Sequence, residues 1–171
     1  MDRFGSFAKS DTGKAALIAS AALTGVFESV ESFVLIPKIS KQAGGHPVFD
    51  TAFRNNYEQM KAFLDALTEE GRDLFQHTYL KMDNLYPFVY GSFFTLALLR
   101  WNKETDWRAS VPLVLMGFDY AENTCSAKML KDGSVSPAFA RFASTMTNCK
   151  MLTMVTTFAL VGVAWWTDHK E

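Results

Sequence analysis

Nine polar side chains stand at helical spacing inside apolar segments of the chain. They are Glu28, Glu31, Asp83, Tyr86, Tyr90, Asp119, Glu122, Asn123 and Lys150. Residues three or four positions apart lie on one face of a helix, so each segment carries one polar stripe. Because a charge that faces lipid costs several kcal/mol, we expect the stripes to turn inward and to share one pocket.

Three kinds of role fit carboxyl groups, tyrosines and one lysine in such a pocket. The groups can hold the helices in register through hydrogen bonds, bind the polar or cationic head of an apolar ligand, or transfer protons. An unpaired buried ammonium is costly, so we expect Lys150 to pair with Asp119 or Glu122. No nucleotide-binding loop, hydrolase motif or protease motif accompanies these residues, and the sequence therefore assigns no catalytic residue.

Long runs without a charged residue carry the polar stripes. They extend from Ala15 to Phe27, from Asn84 to Leu99, from Ala109 to Phe118 and from Met151 to Thr167. A helix needs about 20 residues to cross a hydrocarbon core, a length that each run reaches by including a few ionisable side chains. We therefore predict an all-α fold, a four-transmembrane-helix bundle in one membrane domain. Its spans are expected at about 14–37, 79–101, 109–131 and 138–166.

The long loop after the first span contains an apolar stripe of its own. Its members are Phe49, Phe53, Tyr57, Met60, Leu64 and Leu67. Their separations predict an amphipathic helix over about 48–67 that lies in the membrane interface or covers the bundle. Thr68, followed by Glu69 and Glu70, is typical of a helix N-terminus. From there we expect a helix that continues into the second span with a kink at Pro87.

The tryptophans mark one end of the predicted bundle. Trp101, Trp107, Trp165 and Trp166 all fall at the same membrane face, where indole rings are enriched. At about 1.5 Å per helical residue, the polar stripes lie in the opposite half of the membrane, next to the amphipathic helix. We therefore expect a pocket that opens toward that face and is covered by residues 48–67.

The composition argues against several other classes of protein. The 171 residues carry 17 basic and 18 acidic side chains, a net charge of −1. No basic cluster of the kind that nucleic-acid binding requires is present. Cys125 and Cys149 cannot by themselves form a disulfide framework or a zinc site. We therefore expect no nucleic-acid partner, no metal ion and no other cofactor.

Two local motifs carry a resemblance to known proteins. The motifs are Asp83-x-x-Tyr86-Pro87-x-x-Tyr90-Gly91 and Asp119-x-x-Glu122-Asn123, followed by Lys150. Over residues 48–160 the chain resembles a group of small four-span membrane proteins from bacteria and unicellular eukaryotes, which implies the architecture but no activity. At the level of fold alone, it is similar to the emopamil-binding sterol-isomerase and sigma-receptor-like membrane proteins, which have acidic residues in a membrane pocket.

The small size and the missing catalytic signature favour a non-catalytic role. We expect an accessory or structural subunit of a larger membrane complex, such as an energy-converting complex of the mitochondrial inner membrane. Its partners would be membrane lipids and other membrane-protein subunits. The alternative is a membrane-embedded enzyme or carrier for an apolar small molecule, which would use the carboxylate and lysine pocket. A soluble helical bundle that binds a pigment or haem is a third, minor option.

Overall fold

A computed structural model describes residues 3–51, 53–102 and 106–170 of the chain. Every regular element in these ranges is helical. In chain order the helices are α1 (Arg3–Lys9), α2 (Asp11–Val30), α3 (Ile36–Gln42), α4 (Tyr57–Ala66), α5 (Glu69–Leu74), α6 (Leu80–Asp83), α7 (Tyr86–Trp101), α8 (Val111–Asp132) and α9 (Pro137–Asp168). The all-α prediction is confirmed for the described residues.

Three short turns with other helical geometry connect these elements. The π-helical turn Glu31–Leu35 joins α2 to α3, and the π-helical turn Phe75–Tyr79 joins α5 to α6. A 3-10 turn, Trp107–Ser110, leads into α8. A π-helical turn holds one residue more than the α-helical turn it replaces and is often found at functional sites.

Two of the described helices are long and apolar enough to cross a membrane. They are the continuous helix Asp11–Gln42, which comprises α2, the first π-helical turn and α3, and helix α9. Helix α7 has only 16 residues, and α8 contains Asp119, Glu122 and further charged side chains. The structure thus supports two of the four predicted spans by length and composition.

The loop helix is shorter than predicted. Instead of a helix over about 48–67, the structure has α4 at Tyr57–Ala66, which begins at a capping box formed by Asn56 and Gln59. Arg54 just before it has a φ of 62°, a left-handed conformation that no helix accommodates. Residues 48–50 are buried in the preceding loop. The predicted helix start at Thr68 is confirmed, since the Thr68 side chain accepts the N–H of Gly71.

Pro87 lies just after a break between two helices, where the sequence predicted a kink within one continuous helix. Helix α6 ends at Asp83, and α7 starts at Tyr86 with Pro87 in its first turn. A proline is tolerated there because the first N–H groups of a helix have no intrahelical partner. The break leaves the Asp83 carbonyl free to accept the side-chain N–H of Asn123 at 3.0 Å.

Two apolar clusters lie on either side of the polar residues. The larger cluster joins the first loop to α4 and to the second π-helical turn through the rings of Phe49, Phe63, Phe75 and Tyr79. The smaller cluster surrounds Tyr90 on α7. Tyr79 and Tyr90 line one cavity, which therefore lies between the two clusters.

Gly71 sets the close approach of α5 to α3. A Cβ atom on Gly71 would lie 2.6 Å from the Gln42 Cβ and 2.8 Å from a methyl group of Leu67. Alanine forms helices better than glycine by about 1 kcal/mol. We nevertheless expect Gly71→Ala to destabilise the protein by about 1–3 kcal/mol, because the backbone must shift to admit the methyl group.

Thermal unfolding of the detergent-solubilised protein, followed by circular dichroism, checks this prediction. Gly25→Ala in α2 is the matched control, since a Cβ there meets nothing within 4 Å. The control is expected to be neutral or slightly stabilising. Equal stability of the two variants would contradict the close packing at Gly71.

Candidate functional site

A buried ion-paired centre joins α8 to α9. The Lys150 Nζ contacts the carboxylate of Glu122 and lies 3.5 Å from the Asp119 Oδ1. Thr147, one turn before Lys150, donates its hydroxyl hydrogen to Glu122. The side chains of Asp119 and Glu122 are 4% and 2% exposed. The predicted pairing of Lys150 is confirmed, and it involves both carboxylates.

Two tyrosines of α7 extend this centre toward α2. The Tyr90 hydroxyl donates to the Asp119 Oδ2 at 2.6 Å. The Tyr86 hydroxyl donates to the Glu28 Oε2 at 2.9 Å, and its ring stacks on Phe27 at 5.7 Å between centroids. Two groups of polar contacts, linked by the adjacent rings of Tyr86 and Tyr90, therefore bring together side chains from four helices, α2, α7, α8 and α9.

Two carboxyl groups at the same place have unpaired oxygens. Glu31 is 6% exposed and Asp50 is 3% exposed. The Glu31 Oε1 and both carboxylate oxygens of Asp50 have no hydrogen-bond partner in the part of the chain that the structure describes. Burying an ionised group without a partner is costly. These two groups therefore differ from Asp119 and Glu122, whose carboxylates both contact Lys150.

A cavity of about 260 Å³ is lined by both paired and unpaired carboxyl groups. We call it the polar cavity. Its lining consists of Glu28, Glu31, Ser32, Ile36, Asp50, Thr51, Tyr79, Asp83, Tyr86, Tyr90, Asp119, Lys150, Met151 and Met154. Seven of the nine residues singled out in the sequence line it; Glu122 and Asn123 are buried beside it.

A second cavity of about 380 Å³ adjoins the polar cavity. Its own lining includes Gly25, Phe94 and Phe158, and we call it the apolar cavity. The two cavities share Glu28, Tyr86, Tyr90 and Met154 as walls. The arrangement offers an acidic compartment that leads directly into an aromatic and aliphatic one.

The π-helical turns place two lining residues. Glu31 is the first residue of the turn Glu31–Leu35, and Tyr79 is the last residue of the turn Phe75–Tyr79. Both side chains are buried and both line the polar cavity. Each turn contains one extra residue. The sequence positions whose side chains face inward after the turn are therefore shifted by one residue from those that an uninterrupted α-helix would place there.

Sequence reasoning missed Asp50 as a site residue. The sequence prediction placed residues 48–67 in one amphipathic helix and did not single out Asp50, whereas the structure places it in a loop that folds inward. Its neighbours Val48 and Phe49 are buried with it. Two apolar residues next to an acid were the one local signal, and they do not distinguish a buried loop from a helix face.

The burial of Asp50 places its change of protonation near neutral pH. Burial and, to a smaller extent, the negative charge of Glu122 raise the pKa of the Asp50 carboxyl to about 7, against the opposing effect of the positive charge of Lys150. A buried acid with a pKa near neutrality changes its charge under physiological conditions. Asp50 can therefore gain or release a proton at ordinary cellular pH.

The described residues hold no group of three or more histidine, cysteine or acidic side chains arranged to bind a metal ion. Cys125 and Cys149 are both free thiols. No protein family, curated protein or solved structure matches this chain. Function is therefore inferred from the two cavities themselves.

The hydrogen bond between Tyr90 and Asp119 supports a testable expectation. Tyr90→Phe is expected to lower the free energy of unfolding by about 1–3 kcal/mol, because it leaves a buried carboxylate oxygen without its donor. Tyr120→Phe, at an exposed position of α8, is the matched control. Thermal unfolding in detergent measures both changes. A Tyr90→Phe variant as stable as the control would show that this contact does not organise the site.

Proposed function

We propose that this chain is a small integral membrane protein that binds an apolar small molecule with a cationic head. The observation that carries the proposal is that two cavities adjoin each other. The polar cavity contains unpaired carboxylate oxygens, and the apolar cavity has four lining residues in common with it. A carrier for such a molecule, or an enzyme that acts on it, would both use this arrangement.

The exposed surface supports the membrane assignment. Large apolar side chains are exposed on the long helices, among them Val26, Phe33, Phe88, Leu113 and Val155. Phe33 is 80% exposed. Soluble monomers seldom expose contiguous apolar surface of this extent, whereas lipid chains would cover it at no cost. We propose four spans, formed by α2 with α3, by α7, by α8 and by α9.

The charges of the polar cavity select a cationic ligand. Among its described lining residues, five are acids and Lys150 is the one cation. Lys150 already contacts Asp119 and Glu122, so it does not balance Glu31 or Asp50. An ammonium head would supply both the hydrogen-bond donors and the positive charge that these two carboxyl groups lack. The apolar remainder of the ligand would occupy the space beside Phe94 and Phe158.

Binding of simple amphiphiles tests the proposal. Dodecylamine and dodecanol share one alkyl chain and differ in the charge of the head. We expect dodecylamine, and not dodecanol, to raise the melting temperature of the purified protein in nanodiscs. Equal effects of the two compounds would contradict a cationic site, because lipid-like partition alone would then explain them.

A pair of variants locates the binding site. Glu31→Gln is expected to weaken dodecylamine binding at least about tenfold, since an uncharged amide loses a charge-assisted contact of about 1.5–3 kcal/mol. Glu58→Gln in α4 makes the same chemical change at an exposed position and should leave binding unchanged. Unaltered affinity in Glu31→Gln would place the ligand elsewhere.

An accessory subunit of a larger membrane complex is the second candidate. The exposed aromatic residues Phe33, Phe88 and Phe158 favour it, because aromatic side chains are enriched where proteins meet. The mass of the native particle, extracted in mild detergent, separates the candidates. A particle many times the 19.2 kDa of the chain, with fixed stoichiometry, identifies a subunit. A particle of one to three copies identifies a protein that acts alone.

A further inference from the structure

Asp50 differs from the other acids of the polar cavity in its position along the chain. It lies in the loop between α3 and α4, whereas the other acids that line the cavity belong to helices or to π-helical turns. Val48 and Phe49 directly before it are buried, and farther along the loop His46, Pro47 and Arg54 are exposed. Asp50 is therefore a buried acid in a loop whose surface begins three to four residues away.

The surroundings of Asp50 are predominantly acidic. The groups that interact with it electrostatically are Glu31, Tyr79, Asp83, Asp119, Glu122 and Lys150. They come from both π-helical turns and from α6, α8 and α9. The one cation among them, Lys150, contacts two other carboxylates. Without a ligand, an ionised Asp50 would face acids on most sides, with the Tyr79 hydroxyl as a weak opposing contact that favours the anion.

The nearest hydroxyl group along the chain, that of Thr51, donates no hydrogen bond to Asp50. The Thr51 side chain lines the same cavity, but its hydroxyl donates to the Val48 carbonyl at 2.8 Å. A buried carboxyl group without partners is more stable as the neutral acid than as the anion. An entering cation reverses this preference, because it pairs with the anion and not with the acid.

We propose that cation binding in the polar cavity is coupled to the release of one proton from Asp50. Below about pH 7, Asp50 of the ligand-free protein is a carboxylic acid. When an ammonium head enters, the O–H bond of Asp50 breaks, the proton passes to water at the exposed loop, and the carboxylate pairs with the cation. One positive charge enters as one leaves, so the net charge of the cavity is unchanged. This inference rests on the proposed function and adds a proton exchange to it.

The coupling predicts how affinity depends on pH. Below about pH 7 the cation must displace the Asp50 proton, so the affinity falls about tenfold for each unit of pH. Above that pH Asp50 is already ionised and the affinity becomes constant. The probe is dodecyltrimethylammonium, whose head carries no titratable proton, so that any dependence on pH comes from the protein.

Titration calorimetry of the protein in nanodiscs tests the coupling. Binding at about pH 6 is measured in two buffers that differ in ionisation enthalpy, and the difference in heat gives the number of protons released. We expect about one proton at this pH and a small fraction of one at about pH 8. Asp50→Asn should abolish both the release and the pH dependence. Asp65→Asn, an exposed acid paired with Lys61, should retain both.

Each result decides between the exchange and the underlying function. Binding with an affinity independent of pH and no proton release overturns the exchange and leaves the proposed function standing. Failure of both dodecyltrimethylammonium and dodecylamine to bind at either pH overturns the proposed function and the exchange with it. A full pH dependence that persists in Asp50→Asn would also overturn the inference, because another group would then release the proton.

Discussion

Replacement of Lys150 by methionine is expected to destabilise the protein by about 3–5 kcal/mol. The methionine side chain fills much of the lysine volume but removes the charge that balances Asp119 and Glu122. Both carboxylates are almost fully buried and cannot recover water as a partner. Loss of one member of a buried ion pair costs far more than the intact pair contributes, because the remaining charge stays in a medium of low polarity.

The yield of folded protein and its thermal unfolding in detergent measure this effect. Lys128→Met in α8 is the matched control, since Lys128 pairs with Asp132 at 2.6 Å on an exposed surface. Such exposed pairs contribute about 0–1 kcal/mol. The triple variant Lys150→Met, Asp119→Asn and Glu122→Gln should recover much of the lost stability. If Lys150→Met were as stable as Lys128→Met, the buried ion pair would have no structural importance.

The variant Asp50→Asn is expected to be more stable than the natural chain at alkaline pH. In the folded protein, burial raises the pKa of Asp50 from its usual 3.8 to about 7. Between these two values the unfolded chain loses the proton and the folded chain keeps it, so the free energy of unfolding falls as the pH rises. At about 1.4 kcal/mol per pH unit, the total fall is at most about 4 kcal/mol. Asparagine has no titratable proton in this range of pH, so the Asp50→Asn variant does not undergo this fall in the free energy of unfolding.

Melting temperatures recorded from about pH 4 to about pH 8 check this prediction. The variant and the natural chain should have similar stability at the acidic end, and the variant should gain progressively up to about pH 7. Asp65→Asn, which removes an exposed acid, should show no such trend. A difference between Asp50→Asn and the natural chain that did not change with pH would contradict the raised pKa. The same variant should lose the pH dependence of cation binding, so that stability and function oppose each other at this residue.

Helical periodicity was sufficient to predict most of the candidate site. Spacings of three and four residues identified the stripes of α2, α7, α8 and α9, and the cost of a buried ammonium predicted the partners of Lys150. These inferences depend only on one helix face at a time. They do not require knowledge of how the helices are connected, which explains why they agree with the structure at Tyr90, Asp119 and Lys150.

The first loop could not be predicted in the same way. The stripe from Phe49 to Leu67 has helical spacing throughout. In the structure, however, the helix begins only after the left-handed residue Arg54 and the capping residue Asn56, so Asp50 lies in the loop before it. The loop then packs Phe49 against Phe63 and Phe75, contacts between residues distant in sequence. The π-helical turns are likewise set by tertiary packing and have no spacing signal of their own.

The π-helical turn Glu31–Leu35 also determines where the first helix can change in length. Deletion of one residue within the turn would remove its extra residue and leave α2 and α3 in about their present relative orientation. Deletion of one residue from the regular α-helix just before Glu28 would instead rotate the preceding residues by about 100° about the helix axis. Thr24 and Gly25 would then turn away from the apolar cavity that they line. The first helix therefore tolerates a change of length at this turn far better than in the regular helix before it.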